Sequence, residues 1–246
     1  MRSALVSVLV AASMLPSATL DAQVVFNSRS GPSRFQLGID GVVAQPKGEF
    51  ANNVDNGFGI NATGMFRLDP KGFVSLRADL GGVQYGREEF NIPFSPFTNR
   101  IALDLETTNN IAWGGIGGHL QIPDGWLRPY ANASIAYTYF STTSSLSGSD
   151  DDYEYASTVN QDDGSRAWIF GGGVVIPFGS RYALGGLNLG ARYYYGGEAT
   201  YLREGDIIDN PDGSVTLNPQ RSKTDLILWQ LGVSFVLPRS STSTRN

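Results

Sequence analysis

The stretch Thr224–Leu237, TDLILWQLGVSFVL, decides the fold. Ile227, Trp229, Leu231, Val233 and Phe235 occupy every second position, with Leu228, Gln230, Gly232 and Ser234 between them. Successive side chains of an extended chain point to opposite faces, so this period puts a wholly apolar set on one face and a largely polar set on the other. The segment is expected to be an amphipathic strand with one greasy face.

The same alternation recurs upstream. Arg34–Ala44 sets Phe35, Leu37, Ile39 and Val43 against Gln36, Gly38 and Asp40, and Gly57–Leu68 sets Phe58, Ile60, Ala62, Phe66 and Leu68 against Asn61, Thr63 and Arg67. Phe73–Gln84 opposes Val74, Leu76, Ala78 and Leu80 to Ser75, Arg77, Asp79 and Gly81. Leu127–Tyr139 opposes Ala131, Ala133, Ile135, Tyr137 and Tyr139 to Arg128, Asn132, Ser134 and Thr138. Further strands are expected at Thr107–Leu120, Arg166–Phe178, with Trp168, Phe170, Val174 and Ile176 on the apolar side, and Tyr182–Tyr195, with Asn188 and Arg192 on the polar side. In Thr107–Leu120, Ile111 and Trp113 fall on one parity and Ile116 and Leu120 on the other, which suggests a bulge between them.

Connections sort into two kinds. Asp69-Pro70-Lys71-Gly72, Pro123-Asp124-Gly125 and Phe178-Gly179-Ser180 are tight turns, in which Pro and Gly supply the fixed or positive φ required. Strands joined so briefly are antiparallel. Between the other strands longer loops are expected: the cluster Pro46, Gly48, Asn52, Asn53, Asp55 and Asn56, then Tyr85–Glu106, Ser141–Ser165 and Gly196–Ser222. Eight strands whose short and long connections alternate follow the pattern of a bacterial transmembrane barrel, with both termini and the short turns in the periplasm.

Composition agrees. With 30 glycines, 11% aromatic and 17% charged residues among 246, the chain suits pleated sheets better than helices. Residues 1–22 read as a secretory signal: Arg2, an apolar run Ala4–Leu15 and a cut after Ala22. The run is shorter than the roughly 20 residues of a spanning helix. A polar segment, residues 23–33, precedes the expected barrel, residues 34–237, and a polar tail, residues 238–246, follows it. There is no cysteine, hence no disulfide, thiolate catalysis or zinc–thiolate site. A net charge of −5 argues against a nucleic-acid binder, whose affinity comes from neutralising phosphates.

The polar face would fill the lumen. It carries Asp40, Arg67, Arg77, Asp79, Arg128 and Arg192, interleaved with Asn61, Asn132 and Asn188, a set expected to form one hydrated polar network. The four cations exceed the two acids, so hydroxyls, amides or trapped water would have to compensate. Tyr137, Tyr139, Tyr193 and Tyr195 on the apolar face near the loops, and Phe235 near the opposite end, suit the two aromatic girdles of a membrane barrel. Trp126 and Tyr182 also flank short turns, on the other parity. A secreted soluble ligand-binding barrel would instead bury the greasy face and turn the charged one to water.

Gln230, Gly232, Phe235 and Leu237 take alternate spacing at the end of the last strand. This resembles the C-terminal signal by which outer-membrane barrels are recognised by their insertion machinery, with Leu237 where the signal ordinarily carries an aromatic residue and with a polar tail after it. Over Phe35–Leu237 the chain resembles the small OmpA/OmpX-type outer-membrane barrels. The resemblance implies an all-β, eight-stranded, antiparallel, up-and-down transmembrane barrel with long extracellular loops, monomeric in outer-membrane lipid.

Candidate chemistry is sparse. His119, the only histidine, is expected at the rim near a short turn, where it is a turn-proximal polar residue rather than a general base. Asp150, Asp151, Asp152, Glu154, Asp162 and Asp163 would offer carboxylates to a cation but lack the spacing of a calcium loop, and read as a solvated acidic face. Gly171-Gly172-Gly173 and Gly114-Gly115 lack the Lys-Ser or Lys-Thr of a phosphate loop and fit close backbone packing. No cofactor and no catalytic group are expected. Two functions stay open: a membrane scaffold whose surface loops support the envelope or bind a ligand, and a narrow pore for small or hydrophobic molecules.

Overall fold

Alternation of this kind leaves unpaired backbone groups at both outer edges unless the first and last strands meet, and here they do. The computed structural model describes residues 34–95, 98–148, 154–178, 185–212 and 214–237. Twelve strands occur among them: β1 Phe35–Pro46, β2 Gly57–Arg67, β3 Val74–Ser95, β4 Thr98–Gln121, β5 Arg128–Gly148, β6 Glu154–Phe178, β7 Gly185–Gly196, β8 Glu198–Tyr201, β9 Ile207–Asp209, β10 Val215–Leu217, β11 Gln220–Lys223 and β12 Leu226–Val236. Eight of them close a barrel in the order β1-β12-β7-β6-β5-β4-β3-β2. Its seam is the antiparallel pair β1 and β12, running from Gln36 opposite Val236 to Pro46 opposite Leu226. The expected signal peptide, N-terminal segment, C-terminal tail, Tyr182 and Asp150–Asp152 lie outside the described residues.

Side-chain direction follows the predicted parity. Phe35, Leu37, Ile39, Leu76, Leu80, Ile116, Ile135, Trp168, Trp229 and Leu231 are all exposed on the outside, while Asp40, Asn61, Arg77, Asp79, Asn132, Asn188 and Arg192 are buried inside. An apolar band that encircles a barrel is stable against lipid and not against water. Aromatic contacts mark both of its borders. Phe35 meets Phe66 at 5.0 Å and Phe178 meets Phe235 at 6.3 Å near the short turns, and Tyr193 meets Tyr195 at 4.4 Å near the loops.

The β2–β3 turn shows how the short connections are held. Gly72 takes φ 84° and Gly125 takes φ 103°, values open to glycine. The Asp69 carboxylate accepts the N–H groups of Val74 at 2.7 Å, Gly72 at 2.9 Å and Lys71 at 3.0 Å, and these bonds, that of Val74 foremost, hold it below the usual carboxylate range.

Three expectations change. No bulge separates Ile111 from Ile116: the register from Val74 opposite Leu120 to Gln84 opposite Asn110 is unbroken, and the shift lies in β3 between Gln84 and Gly86. Ile111 and Trp113 simply face the lumen, and Ile116 and Leu120 face outward. Second, the regions expected as loops at Tyr85–Glu106 and Ser141–Ser165 are mostly strand, because β3–β4 and β5–β6 continue as paired ribbons. Ser141–Ser165 is rich in Ser and Thr, which tolerate a pleated ladder without a hydrophobic period to announce it, and in Tyr85–Glu106 the prolines Pro93 and Pro96 and mixed charge obscure the strands. Third, the Gly196–Ser222 loop contains the β8–β11 and β9–β10 hairpins.

The loop end of the lumen is apolar rather than polar. After β1 the chain turns inward through a 3₁₀ turn, Phe50–Asn52, and Phe50 is fully buried. Its ring meets Tyr201 edge-on at 5.0 Å and Phe140 at 6.0 Å, above Val42, Ala44 and Leu228. Tyr201 and Tyr85 keep their hydroxyls satisfied, Tyr201 against Ser222 at 2.9 Å and Tyr85 donating to the Leu202 carbonyl at 2.9 Å. These bonds tie the β8–β11 hairpin over the mouth.

Ile135 sits mid-strand on the outer face, so Ile135→Arg is expected to cost on the order of 2–4 kcal/mol in urea unfolding of protein refolded into vesicles; an unchanged midpoint would place that face outside the lipid. Phe50→Ala is expected to cost about 3–5 kcal/mol in the same assay, since it opens a cavity in the loop-end core, and a neutral result would show that this core does not hold the barrel.

Candidate functional site

An eight-stranded lumen is only wide enough for side chains, so large groups fit where the opposing wall is glycine. Trp113 lies over Gly81, where an added Cβ would come within 2.4 Å of the indole, and Arg192 lies over Gly171, where it would come within 2.5 Å of Cγ. The glycine pattern is thus a relief of the lumen. Gly171 and Gly173 serve close packing as the sequence reading expects, with no helix following them.

Asp79 is the centre of the polar layer. Arg77 donates to its Oδ1 from Nη2 at 2.6 Å and from Nε at 3.0 Å, and Arg192 donates from Nη2 to Oδ2 at 3.0 Å. Thr63 donates to Oδ1 at 3.2 Å and accepts from Arg77 at 3.1 Å, and Asn61 reaches Thr63 at 3.1 Å. The Trp113 indole N–H donates to Asn61 at 3.1 Å, and Arg192 donates to the Ser134 hydroxyl at 3.2 Å. One connected set therefore joins β2, β3, β4, β5 and β7. Asp40 lies beside this set and accepts from Asn188 Nδ2 at 2.7 Å.

Four of the six residues expected in one lumenal network, Asp40, Arg77, Asp79 and Arg192, are buried inside. Arg67 and Arg128 are not part of it. They stand half-buried at the short-turn mouth, because they close β2 and open β5, where the wall ends. This removes the expected excess of cations: two arginines and two aspartates share the interior. His119 is also placed differently, since its ring is 3% exposed and stacks on Tyr130 at 4.9 Å inside the lumen instead of lying at the rim. Both His119 nitrogens, the Tyr130 hydroxyl and the Asn132 amide are buried with no protein partner, as is the Gln230 amide elsewhere in the lumen. A cavity of about 20 Å³ borders Asp40, Arg77, His119, Tyr130 and Asn188, room for a water molecule or so among groups that need one.

The residues of the expected insertion signal take two directions. Gln230 is buried in the lumen and Gly232 presses against Asp40, while Phe235 faces outward beside Phe178 and Leu237 is exposed, its N–H donating to the Phe35 carbonyl at 3.0 Å. Of the acidic segment, Asp162 accepts from the Tyr139 hydroxyl at 3.1 Å, and Asp163 accepts from Thr200 N–H and Gly164 N–H at 2.7 Å each. Those two N–H groups, Thr200 foremost, keep the Asp163 carboxyl below its usual range. Among the described residues, no three metal-ligating side chains converge.

Beyond the last β2 pairing at Gln84 and the last β7 pairing at Ala167, strands β3 to β6 continue as a sheet. Eleven further residues of β3, Tyr85–Ser95, carry it roughly 30–35 Å along the strand at about 3.3 Å per residue. On the face that continues the lumen wall, Phe90 pairs with Leu105, Leu105 with Leu146 and Leu146 with Ala156, an apolar row across four strands. The adjoining row, Glu88, Thr107, Ser144 and Thr158, is polar, with Thr107 and Ser144 hydroxyls 2.7 Å apart. At its base the sheet is tied to the β7–β12 connection: Glu204 accepts from Arg87 N–H at 3.0 Å, and Gly197 N–H donates to the Arg166 carbonyl at 2.9 Å. Sequence reasoning missed both this sheet and the loop-end core, whose one sequence signal was Val42, Ile111, Trp113 and Leu228 on the otherwise polar parity.

No family profile and no curated protein sequence matches the chain. Among solved structures it is similar to Neisserial surface protein A, with a TM-score of 0.47 and 14% identity, over 85% of this chain and 100% of that one. It is also similar to a major outer membrane protein from Thermus thermophilus, at 0.46 and 8%, over 82% and 99%. Ail, the attachment invasion locus protein of Yersinia pestis, follows at 0.40 and 10%, over 85% and 99%. The likeness is one of overall shape, and the barrel itself is established by its own strand pairing.

Proposed function

We propose that this chain is a non-enzymatic outer-membrane barrel that serves as a sealed membrane anchor and displays the β3–β6 sheet outside the cell as a binding surface. The observation that carries this reading is the lumen, filled from end to end by two unlike layers: the Asp79 cluster toward the periplasm and the Phe50 core toward the outside. A lumen so filled supports an anchor over a pore, and the encircling apolar band supports membrane over secretion. Binding falls to the sheet, whose apolar row flanked by hydroxyls is presented well away from the lipid. Gln230, Gly232, Phe235 and Leu237 act in assembly, as the signal read by the insertion machinery, and Arg77, Asp79 and Arg192 act as the polar plug.

Three measurements test this. The protein is expected in the outer-membrane fraction as a species whose gel mobility changes on boiling, and recovery in the soluble periplasm without that change would refute the anchor. Planar-bilayer recordings are expected to show no stable channel; large single-channel currents would make the narrow pore the better reading. Asp79→Ala leaves two buried guanidinium groups facing each other and is expected to cost about 3–5 kcal/mol, against no measurable change for exposed Asp55→Ala. Equal urea midpoints for the two variants would remove the polar plug.

A further inference from the structure

Arg67 and Arg128 are left over from the lumenal cluster, and their surroundings differ from it. Both are half-buried on inward parity at the short-turn mouth, and their charges repel one another. Neither forms an ion pair among the described residues. Asp69 is the one carboxylate that acts on Arg67, and its oxygens are already taken by three N–H groups of the turn. Arg128 Nε is buried with no partner at all. A buried charge-bearing donor with nothing to donate to is costly, so this pair calls for an oxyanion from outside the chain.

The outer wall at the same place offers the second half of a site. A groove of about 360 Å³ runs along Phe73, Leu120, Ile122, Pro129 and Ala131. Gln121 and Tyr130 line both this groove and the lumenal cavity. Neither arginine lines the groove, but each stands at the rim next to it along the chain: Arg67 reaches the turn at Gly72, where an added Cβ would lie in ordinary contact at 3.5 Å from Nε, and Phe73 follows, while Arg128, on the inward parity, precedes the groove residue Pro129. The outward-facing Phe35 and Phe66 rings lie beside Arg67 in the chain pairing and mark the depth at which lipid headgroups begin.

We infer that this rim binds one glycerophospholipid of the inner leaflet, with its phosphate between Arg67 and Arg128 and an acyl chain in the Phe73–Ala131 groove. A free phosphate would satisfy the guanidinium groups and gain nothing from the groove, and a neutral diacylglycerol would do the reverse. A phospholipid meets both demands at once. The inference rests on the membrane reading above, whose own failure would appear as loss of the boiling-dependent gel shift rather than as loss of lipid.

Native mass spectrometry of the full chain refolded in detergent tests it, with dioleoylphosphatidylglycerol, dioleoylglycerol and inorganic phosphate as separate probes. One phosphatidylglycerol per chain is expected to bind at least about tenfold more tightly than either other probe. The pair Arg67→Gln and Arg128→Gln is expected to lower that affinity by at least about tenfold, while Arg221→Gln, exposed on the loop side, leaves it unchanged. Ala131→Trp fills the groove without touching either arginine and is expected to weaken phosphatidylglycerol by a similar factor; it decides the matter alone if the double variant does not fold. Undiminished binding by the folded double variant or by Ala131→Trp, or phosphate binding as tight as phosphatidylglycerol, overturns the inference.

Discussion

An eight-stranded barrel encloses so little space that each inward side chain is dry unless something polar reaches it. Asp79 meets that constraint for the short-turn half of the lumen. Its two carboxylate oxygens, both fully buried, hold Arg77 and Arg192 from strands on opposite sides of the barrel, and Thr63, Asn61, Trp113 and Ser134 are bonded outward from that core. Two guanidinium groups on one carboxylate leave a surplus of positive charge there, which Asp40 offsets from the adjoining part of the lumen. The cluster is better regarded as a brace than as a source of net stability, because charges taken from water regain much of the cost only when every donor is placed, and Arg192 Nε and Nη1 are buried with no protein partner. The large residues of the layer lie over glycines: Gly171 leaves room for the stem with which Arg192 reaches Asp79.

The face assignment was legible because lipid and lumen impose opposite demands on alternate residues. Ile135 and Asn132, three positions apart, fall on opposite sides as the period of two requires. What alternation could not show was where the lumen changes character. Val42, Ala44 and Leu228 break the polar parity on the loop side, and each looks like noise in its own strand. They become a core only when β1 and β12 pair, as Ala44 and Leu228 do, and when Phe50 folds in from a connection with no periodicity of its own. Arg67 and Arg128 fail for a related reason. Parity places them inward, but depth along the strand decides whether inward means buried, and depth depends on strand ends that turn chemistry locates only to within a few residues.

The displayed sheet was hidden by composition. Ser141–Ser165 is rich in Ser, Thr and Asp, which favour turns when they occur in clusters. Here the partner strand overrides that preference: Thr142 donates to Asn109 at 2.6 Å, Thr107 meets Ser144, and Asn160 donates to Ser144 at 2.7 Å, so side-chain bonds between strands supply what apolar packing does not. Charge blunts the exposed edge, with Glu89 against Arg87 and Arg87 against Glu106 at 3.0 Å.

The two mouths of the barrel are consequently unlike, and the difference follows from their connections. Long connections carry enough chain to fold back, so the outer mouth is closed by Phe50, Tyr201 and Leu202, with the Tyr85 and Tyr201 hydroxyls bonded within the chain. Short turns have nothing to spare. At the short-turn mouth the turn Asp69–Gly72 spends its one carboxylate on its own N–H groups, and neither Arg67 nor Arg128 has an ion-pair partner there, with Arg128 Nε buried and unfilled. A barrel built from tight turns at one end thus leaves any polar residue at that end to be completed from outside, by solvent or by the lipid in which the rim stands.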